Sequence, residues 1–236
     1  MAEHGERTEH TPTRRLSRQL IVDAALAHID DSGAQALSMR SLAQELGVEA
    51  MSLYRYVEGK DDLLEAVVDR LLGDMRSRLD EELTEHWQGF LQALAHEVRR
   101  LALEHPKAFP LVATRPPAAP WLRPPLRSIE LVDTFLQTLL DFGFTEEQAV
   151  RAYRSFSSYL LGQLLLEAAV RGAEISPAEP LDDEGDGAPA GDAAESLADA
   201  PAVRRLQPLL SEDRSDQEFE ASLEAVLDRL ARELAQ

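Results

Sequence analysis

The sequence of 236 residues contains no cysteine, and only 6% of its residues are aromatic. Without thiols the chain forms no disulfide, no thiolate zinc site and no cysteine nucleophile. It also lacks an apolar run of about 18 residues, which a membrane-spanning helix needs. Its first ten residues are polar and charged rather than signal-like. We therefore expect a cytoplasmic protein with no membrane partner.

Motifs that indicate catalysis are missing as well. The chain has no Gly-x-Ser-x-Gly elbow, no Gly-rich phosphate loop and no His-Glu-x-x-His pair. His86, His96 and His105 are not spaced as metal ligands on one helix face. We expect that the protein is not an enzyme and that it uses neither a metal ion nor a cofactor.

Basic residues are scarce, because 24 Lys and Arg stand against 43 Asp and Glu, a net charge of −19. Such a total argues against general affinity for nucleic acids, which comes from phosphate neutralisation by Lys and Arg. The charge is unevenly distributed, however. Residues 1–60 hold seven basic and nine acidic side chains, whereas residues 172–203 hold nine acidic side chains and no Lys. A local basic face near the N-terminus therefore remains compatible with the composition.

Apolar spacing is helical along almost the whole chain. Ser17 precedes an i, i+3, i+4 pattern that Gly33 ends. No segment shows the alternation of β-branched residues that is typical of a strand. Further helices are predicted at residues 60–79, 87–105, 107–113, 126–142, 145–172 and 216–234. We predict an all-α fold.

Two short helices between Ser38 and Tyr56 form the most distinctive pattern. Ser38 is a suitable N-cap, and Gly47 stands where a left-handed turn would end the first helix. A second helix of about two turns is predicted to start at Met51 or Ser52 and to end at Tyr56. Two such helices joined through a glycine are typical of a helix-turn-helix, whose second helix enters the major groove of DNA.

Composition divides the chain into regions. Residues 1–15 lack apolar periodicity and contain two arginines near their end, so we predict a flexible basic arm. We predict a helix-turn-helix DNA-binding domain at residues 16–62 and a helical ligand-binding and dimerisation domain at residues 63–236. Within the latter, residues 172–201 are acidic and rich in Ala, Gly and Pro, which favours a disordered loop.

One long segment brings these features together: IVDAALAHIDDSGAQALSMRSLAQELGVEAMSLYRYVEGKDDLLEAVVDRLL. It contains a spine of the form LA..LGV…LY.YV..K..LL and closely resembles the DNA-binding domain of TetR-family transcriptional regulators. Later landmarks, HWQGFL, ATRP, DFGFTEEQAV and LLGQLLLEAA, are similar to the ligand-binding domain of the tetracycline-repressor branch. The resemblance implies a homodimeric repressor that binds double-stranded palindromic operator DNA and is released by a small-molecule effector.

Base and phosphate contacts are implied by the resemblance at a defined set of positions. They are Arg40, Ala50, Met51, Ser52, Tyr54, Tyr56 and Lys60. Arg40 and Lys60 would lie near phosphates, and Arg55 is a further candidate for a guanine contact. Ala50 and Met51 at base edges favour methyl contacts over bidentate hydrogen bonds.

The effector implied by the resemblance differs from a metal-chelated tetracycline. In that branch a histidine and a carboxylate hold the magnesium complex, but Leu111 and Leu166 occupy those positions here. Glu167 is one residue off, which rotates it by about 100° away from the pocket face. We therefore expect an apolar, metal-free effector. The predicted ligand-binding residues are Leu94, Val98, Leu111, Thr114, Arg115, Phe135, Val150 and Tyr153.

Plainer interpretations stand beside these predictions. The helix-turn-helix pattern also fits a corner that only packs, and the prolines after Arg115 also fit a turn in which Arg115 caps a helix C-terminus. The competing function is a non-catalytic interaction protein with the same fold but no operator recognition, which the acidic total favours. An activator instead of a repressor is also open.

Residues 145–172 and 199–236 are predicted to form a four-helix dimer interface.

Overall fold

The computed structural model describes residues 15–79, 86–115, 119–173 and 200–235. Most of the predicted arm at residues 1–15 and most of the acidic segment at residues 172–201 lie outside the described residues. The described helices are α1 (Arg18–Ser32), α2 (Met39–Glu45), α3 (Ala50–Leu53), α4 (Lys60–Leu79), α5 (Trp87–Glu104), α6 (Phe109–Thr114), α7 (Ile129–Asp141), α8 (Glu146–Val170), α9 (Pro201–Leu210) and α10 (Ser215–Leu234).

The prediction of an all-α fold is confirmed. Over the described ranges the only β-type pairing is an isolated bridge between Arg123 and Leu126, which does not form a strand. In the same part of the chain no helix combines the length and the hydropathy that crossing a membrane requires.

Capping residues define the N-terminal helices as the sequence predicts. The Ser17 hydroxyl accepts a hydrogen bond from the Leu20 amide at 3.2 Å, and α1 ends at Ser32, before Gly33, whose φ is +85°. The apolar face of α1, which includes Ile21, Ala25 and Ile29, is buried and packs against α4. These contacts attach the helix-turn-helix to the long helix that follows it.

Two helix boundaries lie about three residues from their predicted positions, and one helix is not predicted. Helix α3 ends at Leu53 instead of Tyr56, because the amides of Tyr56 and Val57 both bond to the Leu53 carbonyl and close a turn. Helix α7 begins at Ile129, after the Ser128 N-cap, and not at residue 126. Helix α9 has no predicted counterpart. All its side chains are exposed, so no buried apolar face predicts it, and Pro208 inside it lowers its helix propensity.

Helices α5, α7, α8 and α10 form the C-terminal body. Phe135 lies at its centre and makes edge or tilted contacts with Tyr153 and Phe156, with ring centroids 5.8 and 5.6 Å apart. Phe219 of α10 is also fully buried. One hydrophobic core runs from α1 through α4 into this body, so the helix-turn-helix is not packed separately from the rest.

Candidate DNA-binding surface and ligand-binding body

The turn between α2 and α3 has the geometry of a helix-turn-helix. The Ser38 hydroxyl accepts from the Ser41 amide and the Ser41 hydroxyl accepts from the Ser38 amide, both at 3.0 Å, so α2 starts with a capping box. Gly47 has a φ of +66°, which a residue with a Cβ adopts only with strain. Leu42 and Leu53 are fully buried and hold the two helices together.

We name residues 50–57 the recognition segment, because they follow the turn and carry most of the predicted DNA contacts. Met51, Tyr54 and Tyr56 are 72%, 47% and 37% exposed, and Arg55 is exposed as well. Ala50 and Ser52 are half-buried. Large apolar and aromatic side chains this exposed on a short helix and its following turn form a surface that is available for a partner.

The two predicted phosphate contacts outside this segment lie on its flanking helices. Arg40 is exposed on α2. Lys60, at the first position of α4, is half-buried, and its ammonium group lies 3.5 Å from the Gln35 carbonyl oxygen. Both cations lie on helices that pack against α1 or α3. This packing fixes the positions of the two cations relative to the recognition segment.

Two residues outside the predicted set hold the end of the recognition segment in place. The Arg18 guanidinium donates to the Tyr56 carbonyl at 2.8 Å and to both carboxylate oxygens of Asp62 at 2.9 and 3.1 Å. Hydrogen bonding to Arg18, together with the Glu58 amide, lowers the pKa of Asp62. In the sequence, Arg18 stands at the start of α1 and Asp62 in the first turn of α4. The two residues are 44 positions apart, so the local pattern does not predict their contact.

The predicted ligand-binding residues divide into a buried and an outer group. Leu94, Val98 and Phe135 are fully buried, whereas Leu111 and Val150 are half-buried. Leu94, Val98 and Phe135 are part of the hydrophobic core, and Leu111 packs against it. They supply an apolar environment with few groups that could orient a polar ligand.

Tyr153, Thr114 and Arg115 each have protein partners. The Tyr153 hydroxyl accepts from the Arg123 amide at 2.6 Å and donates to the Leu126 carbonyl at 3.3 Å, and burial raises the pKa of this phenol. The Thr114 hydroxyl donates to the Pro110 carbonyl at 2.7 Å. Tyr153 therefore secures the connection before α7, and Thr114 bonds back along α6.

Arg115, at the C-terminal end of α6, points towards α4. Its Nε donates to the Glu65 carboxylate at 3.1 Å and its Nη2 donates to the Asp61 carbonyl at 3.2 Å. The other Glu65 oxygen accepts from Arg127 at 3.0 Å. One carboxylate on α4 thus joins the end of α6 to the segment that precedes α7.

The predicted orientations of Leu166 and Glu167 are wrong, because the sequence places Leu166 towards the pocket and Glu167 away from it, and the structure shows the reverse. Leu166 is 68% exposed, whereas Glu167 is 4% exposed and faces the interior of the chain. The Arg99 Nε lies 3.1 and 3.3 Å from the Glu167 oxygens, and Arg99 also pairs with Asp216 and lies 4.6 Å from the centre of the Phe219 ring. Burial lowers the pKa of Arg99, but hydrogen bonds to Asp216 and Glu167 outweigh it and raise this pKa.

Two open cavities lie beside the helices that carry these residues. A cavity of about 370 Å³ between α4 and α7 is lined by Glu65, Asp69, Met75, Arg127 and Ile129, among others. A second cavity of about 550 Å³ lies between the end of α8 and the start of α10. Neither of the two is lined by a predicted ligand-binding residue. Among the described residues no three His, Asp or Glu side chains come together as metal ligands.

A polar contact joins the helix-turn-helix to the C-terminal body. His105, which follows α5, has its Nδ1 2.7 Å from the Asp30 carboxylate near the end of α1. Lys107 reaches the Asp31 carbonyl in the same region. The hydrogen bond to Asp30 raises the pKa of His105, against the opposing effect of partial burial.

The fold and its exposed recognition segment define a helix-turn-helix protein with an additional α-helical body. Residues 21–67 match the family described as bacterial regulatory proteins, tetR family. Residues 81–234 match the family described as tetracyclin repressor-like, C-terminal domain. The chain therefore belongs to the TetR family of DNA-binding regulators, and the resemblance inferred from its motifs is confirmed.

Individual relatives agree with this assignment. An HTH-type transcriptional regulator of Saccharopolyspora erythraea is 33% identical over 156 residues, which are 66% of this chain and 63% of the relative. The HTH-type transcriptional repressor DrrR1 of Streptomyces coeruleorubidus is 31% identical over 179 residues, 74% of this chain and 64% of the relative. The chain thus spans just under two thirds of the length of these two curated relatives.

A solved structure shows the same fold. The crystal structure of a possible TetR family transcriptional regulator from Streptomyces coelicolor A3(2) has a TM-score of 0.70 and 26% identity to this chain. The match covers 92% of this chain and 99% of that protein. The arrangement of the helix-turn-helix in front of the helical body is therefore shared over nearly the full length of both chains.

Proposed function

We propose that the chain is a one-component transcriptional repressor, which binds palindromic operator DNA as a homodimer and is released by a small-molecule effector. The observation that supports this most strongly is the exposure of Met51, Tyr54 and Tyr56 after the helix-turn-helix turn, in a chain of this family. The protein acts in the cytoplasm without catalysis, metal or cofactor. Its proposed regions are the arm at residues 1–15, the DNA-binding domain at residues 16–62 and the ligand-binding and dimerisation domain at residues 63–236.

The DNA contacts follow from the position of each side chain on the surface. Arg40 and Lys60 approach phosphates from the flanking helices, which fixes the register of the domain on the duplex. Met51 and Ala50 contact base edges, where an apolar side chain favours the thymine methyl group. Arg55 contributes a guanine contact. Ser52, Tyr54 and Tyr56 complete the set with hydroxyl groups for phosphates or bases.

The homodimer is supported by apolar side chains that have no cover within the described chain. Leu166 and Val170, near the end of α8, are 68% and 88% exposed, and Leu209 and Leu210 of α9 are exposed as well. These residues fall in the predicted interface at residues 145–172 and 199–236. A second copy would bury them and would place two recognition segments about one DNA turn apart.

The effector is proposed to be apolar and to bind without a metal between the helices of the C-terminal body. The buried Leu94, Val98 and Phe135 and the half-buried Leu111 and Val150 would contact it, and Thr114, Arg115 and Tyr153 would supply polar groups. Leu94, Val98 and Phe135 are packed in the described chain. The effector would therefore have to separate them, which gives it a different affinity for two arrangements of the body.

Release from DNA is proposed to pass through α4. Glu65 binds Arg115 at the end of α6 and Arg127 before α7, so a displacement of either element pulls on the helix that carries Lys60. An effector that favours a different separation of the two recognition segments weakens operator binding by the same factor by which operator weakens effector binding.

The test of this function is selection of bound sequences from randomised duplex DNA at about 150 mM salt, where non-specific phosphate attraction is weakened. We expect enrichment of one palindrome. A folded protein that enriches no sequence would overturn the repressor proposal and favour the competing function, an interaction protein that keeps the fold without operator recognition.

A further inference from the structure

The recognition segment is held by few side chains. Helix α3 has four residues, and Glu49 at its N-cap makes no side-chain capping bond. Within residues 50–57 only Leu53 and Val57 are buried. These two anchors fix the depth of the segment against the core. The Leu53 carbonyl also closes the turn by accepting from the Tyr56 and Val57 amides, which leaves the Tyr56 carbonyl and the Glu58 amide for other contacts.

Arg18 and Asp62 supply those contacts. Arg18 begins α1 and Asp62 lies in the first turn of α4, and the two side chains meet as a bidentate pair. The same guanidinium donates to the Tyr56 carbonyl at 2.8 Å, and the same carboxylate accepts from the Glu58 amide at 2.9 Å. One ion pair therefore makes hydrogen bonds to the backbone on both sides of Val57.

Resting on the proposed operator binding, we propose that Arg18 and Asp62 are positioning residues for DNA recognition. They fix the backbone of the turn that lies between Tyr54 and Lys60, and so set the angle at which the recognition segment meets DNA. Neither residue needs to touch DNA for this role. The pair acts through the Tyr56 carbonyl and the Glu58 amide.

Solvent exposure separates this role from one in overall stability. The side chains of Arg18 and Asp62 are 49% and 29% exposed. Exposed ion pairs contribute little to the free energy of unfolding, because water and salt screen them. Their loss would leave Leu53 and Val57 in the core and the fold intact, while the turn after α3 gains freedom.

The negative charge of Asp62 lets the direction of the change in DNA affinity distinguish the proposal from simple charge repulsion. A carboxylate close to a DNA-binding surface repels phosphates, so removing its charge strengthens DNA binding if the side chain has no other role. The positioning role predicts the opposite for Asp62→Asn, because the neutral amide grips Arg18 and the Glu58 amide more weakly. Glu58→Gln is the matched control, since it removes one negative charge four residues before Asp62 and leaves the Glu58 amide in place.

The experiment measures fluorescence anisotropy of the full-length protein with the selected palindrome and with a scrambled duplex over a series of salt concentrations. We expect Arg18→Lys and Asp62→Asn each to weaken operator binding by about fivefold or more, since Lys cannot reproduce the Arg fork. The double variant should lose no more than the worse single variant. Glu58→Gln should bind at least as tightly as the wild type, and thermal midpoints should stay within about 3 °C of each other.

Other results contradict the proposal in distinguishable ways. An Asp62→Asn variant that binds the operator as well as the wild type, or better, overturns it. A second result also overturns it: the salt dependence of operator binding falls by about one phosphate contact in Arg18→Gln, while Asp62→Asn binds the operator with wild-type salt dependence. Arg18 would then contact DNA directly. A wild-type protein that selects no palindrome overturns the proposed function, and this inference with it. Faster amide hydrogen exchange at Glu58 in Asp62→Asn is expected, and unchanged exchange would count against the grip itself.

Discussion

At the scale of single residues, Tyr54 best separates a DNA-binding role from a packing role. Its side chain is 47% exposed on the turn that follows α3, and it makes no contact that the core depends on. In a chain with 6% aromatic residues, an exposed tyrosine beside Arg55 and Tyr56 is costly to explain by folding alone. The side chain is available to contact a base or phosphate.

Replacing this side chain by alanine tests that role. We expect Tyr54→Ala to weaken operator binding by about tenfold or more, which corresponds to about 1.4 kcal/mol. The free energy of unfolding should change by less than about 0.5 kcal/mol, as for other surface substitutions. Trp121→Ala is the control, because Trp121 is an exposed aromatic on the connection between α6 and α7. Equal operator affinities for the two variants and the wild type would remove Tyr54 from the contact set.

Residue-level prediction succeeds where a local pattern decides the structure and fails where distant contacts do. Ser17, Ser38 and Gly47 act as predicted, because caps and turns depend on neighbours within a few residues. The helical repeat also gives the angle between Leu166 and Glu167. It does not say which of the two faces inward, because Glu167 is drawn in by Arg99, which lies 68 residues earlier.

At the scale of elements, the contact between α1 and the segment after α5 depends on pH. The Asp30 carboxylate binds His105 and raises its pKa, Glu104 acts in the same direction, and partial burial and Arg100 oppose them. A raised pKa means that the folded state holds the proton more tightly than the unfolded chain. The stabilisation is therefore complete below about pH 6.5, the ordinary histidine value, and is lost as the pH rises through the folded-state pKa.

Chemical denaturation between about pH 6 and about pH 9 measures this contribution. We expect the wild type to lose more stability over that range than His105→Asn, and Asp30→Asn to behave like the histidine variant. Identical profiles for wild type and His105→Asn would show that the contact does not retain its proton on folding.

Helix boundaries, like single residues, are predicted where a local pattern decides them and are missed where distant contacts do. Helices α4, α5, α8 and α10 carry apolar faces that are buried in the chain, and the sequence pattern places them within one or two residues. Helix α9 is missed because its apolar residues are not buried by any other described part of the chain, so amphipathic spacing there does not coincide with a core. The early end of α3 depends on backbone bonds to Leu53, which no side-chain pattern encodes.

At the scale of the whole molecule, one core unites the parts that the sequence divides into two domains. Helix α4 crosses the predicted boundary between residues 62 and 63, and its buried side chains Leu63, Val67 and Leu71 belong to the core shared by α1 and α5. A displacement in the C-terminal body would therefore reach the helix-turn-helix through packed side chains, with Glu65 and His105 as polar links. This continuity supports the proposed control of DNA binding by an effector.

Leu166, on the uncovered face of α8, makes the predicted dimer testable. We expect light scattering to give twice 26.2 kDa for the wild type at micromolar concentration and a monomer for Leu166→Glu, because burying an unpaired carboxylate at an apolar interface is unfavourable. The monomer should keep its helical content, since Leu166 is outside the core of its own chain, and should lose operator affinity, since one recognition segment reads only half of a palindrome. Ile129→Glu is the control, because Ile129 is exposed on α7, outside the predicted interface. A wild type whose mass by light scattering is that of a monomer, 26.2 kDa, would refute the four-helix interface.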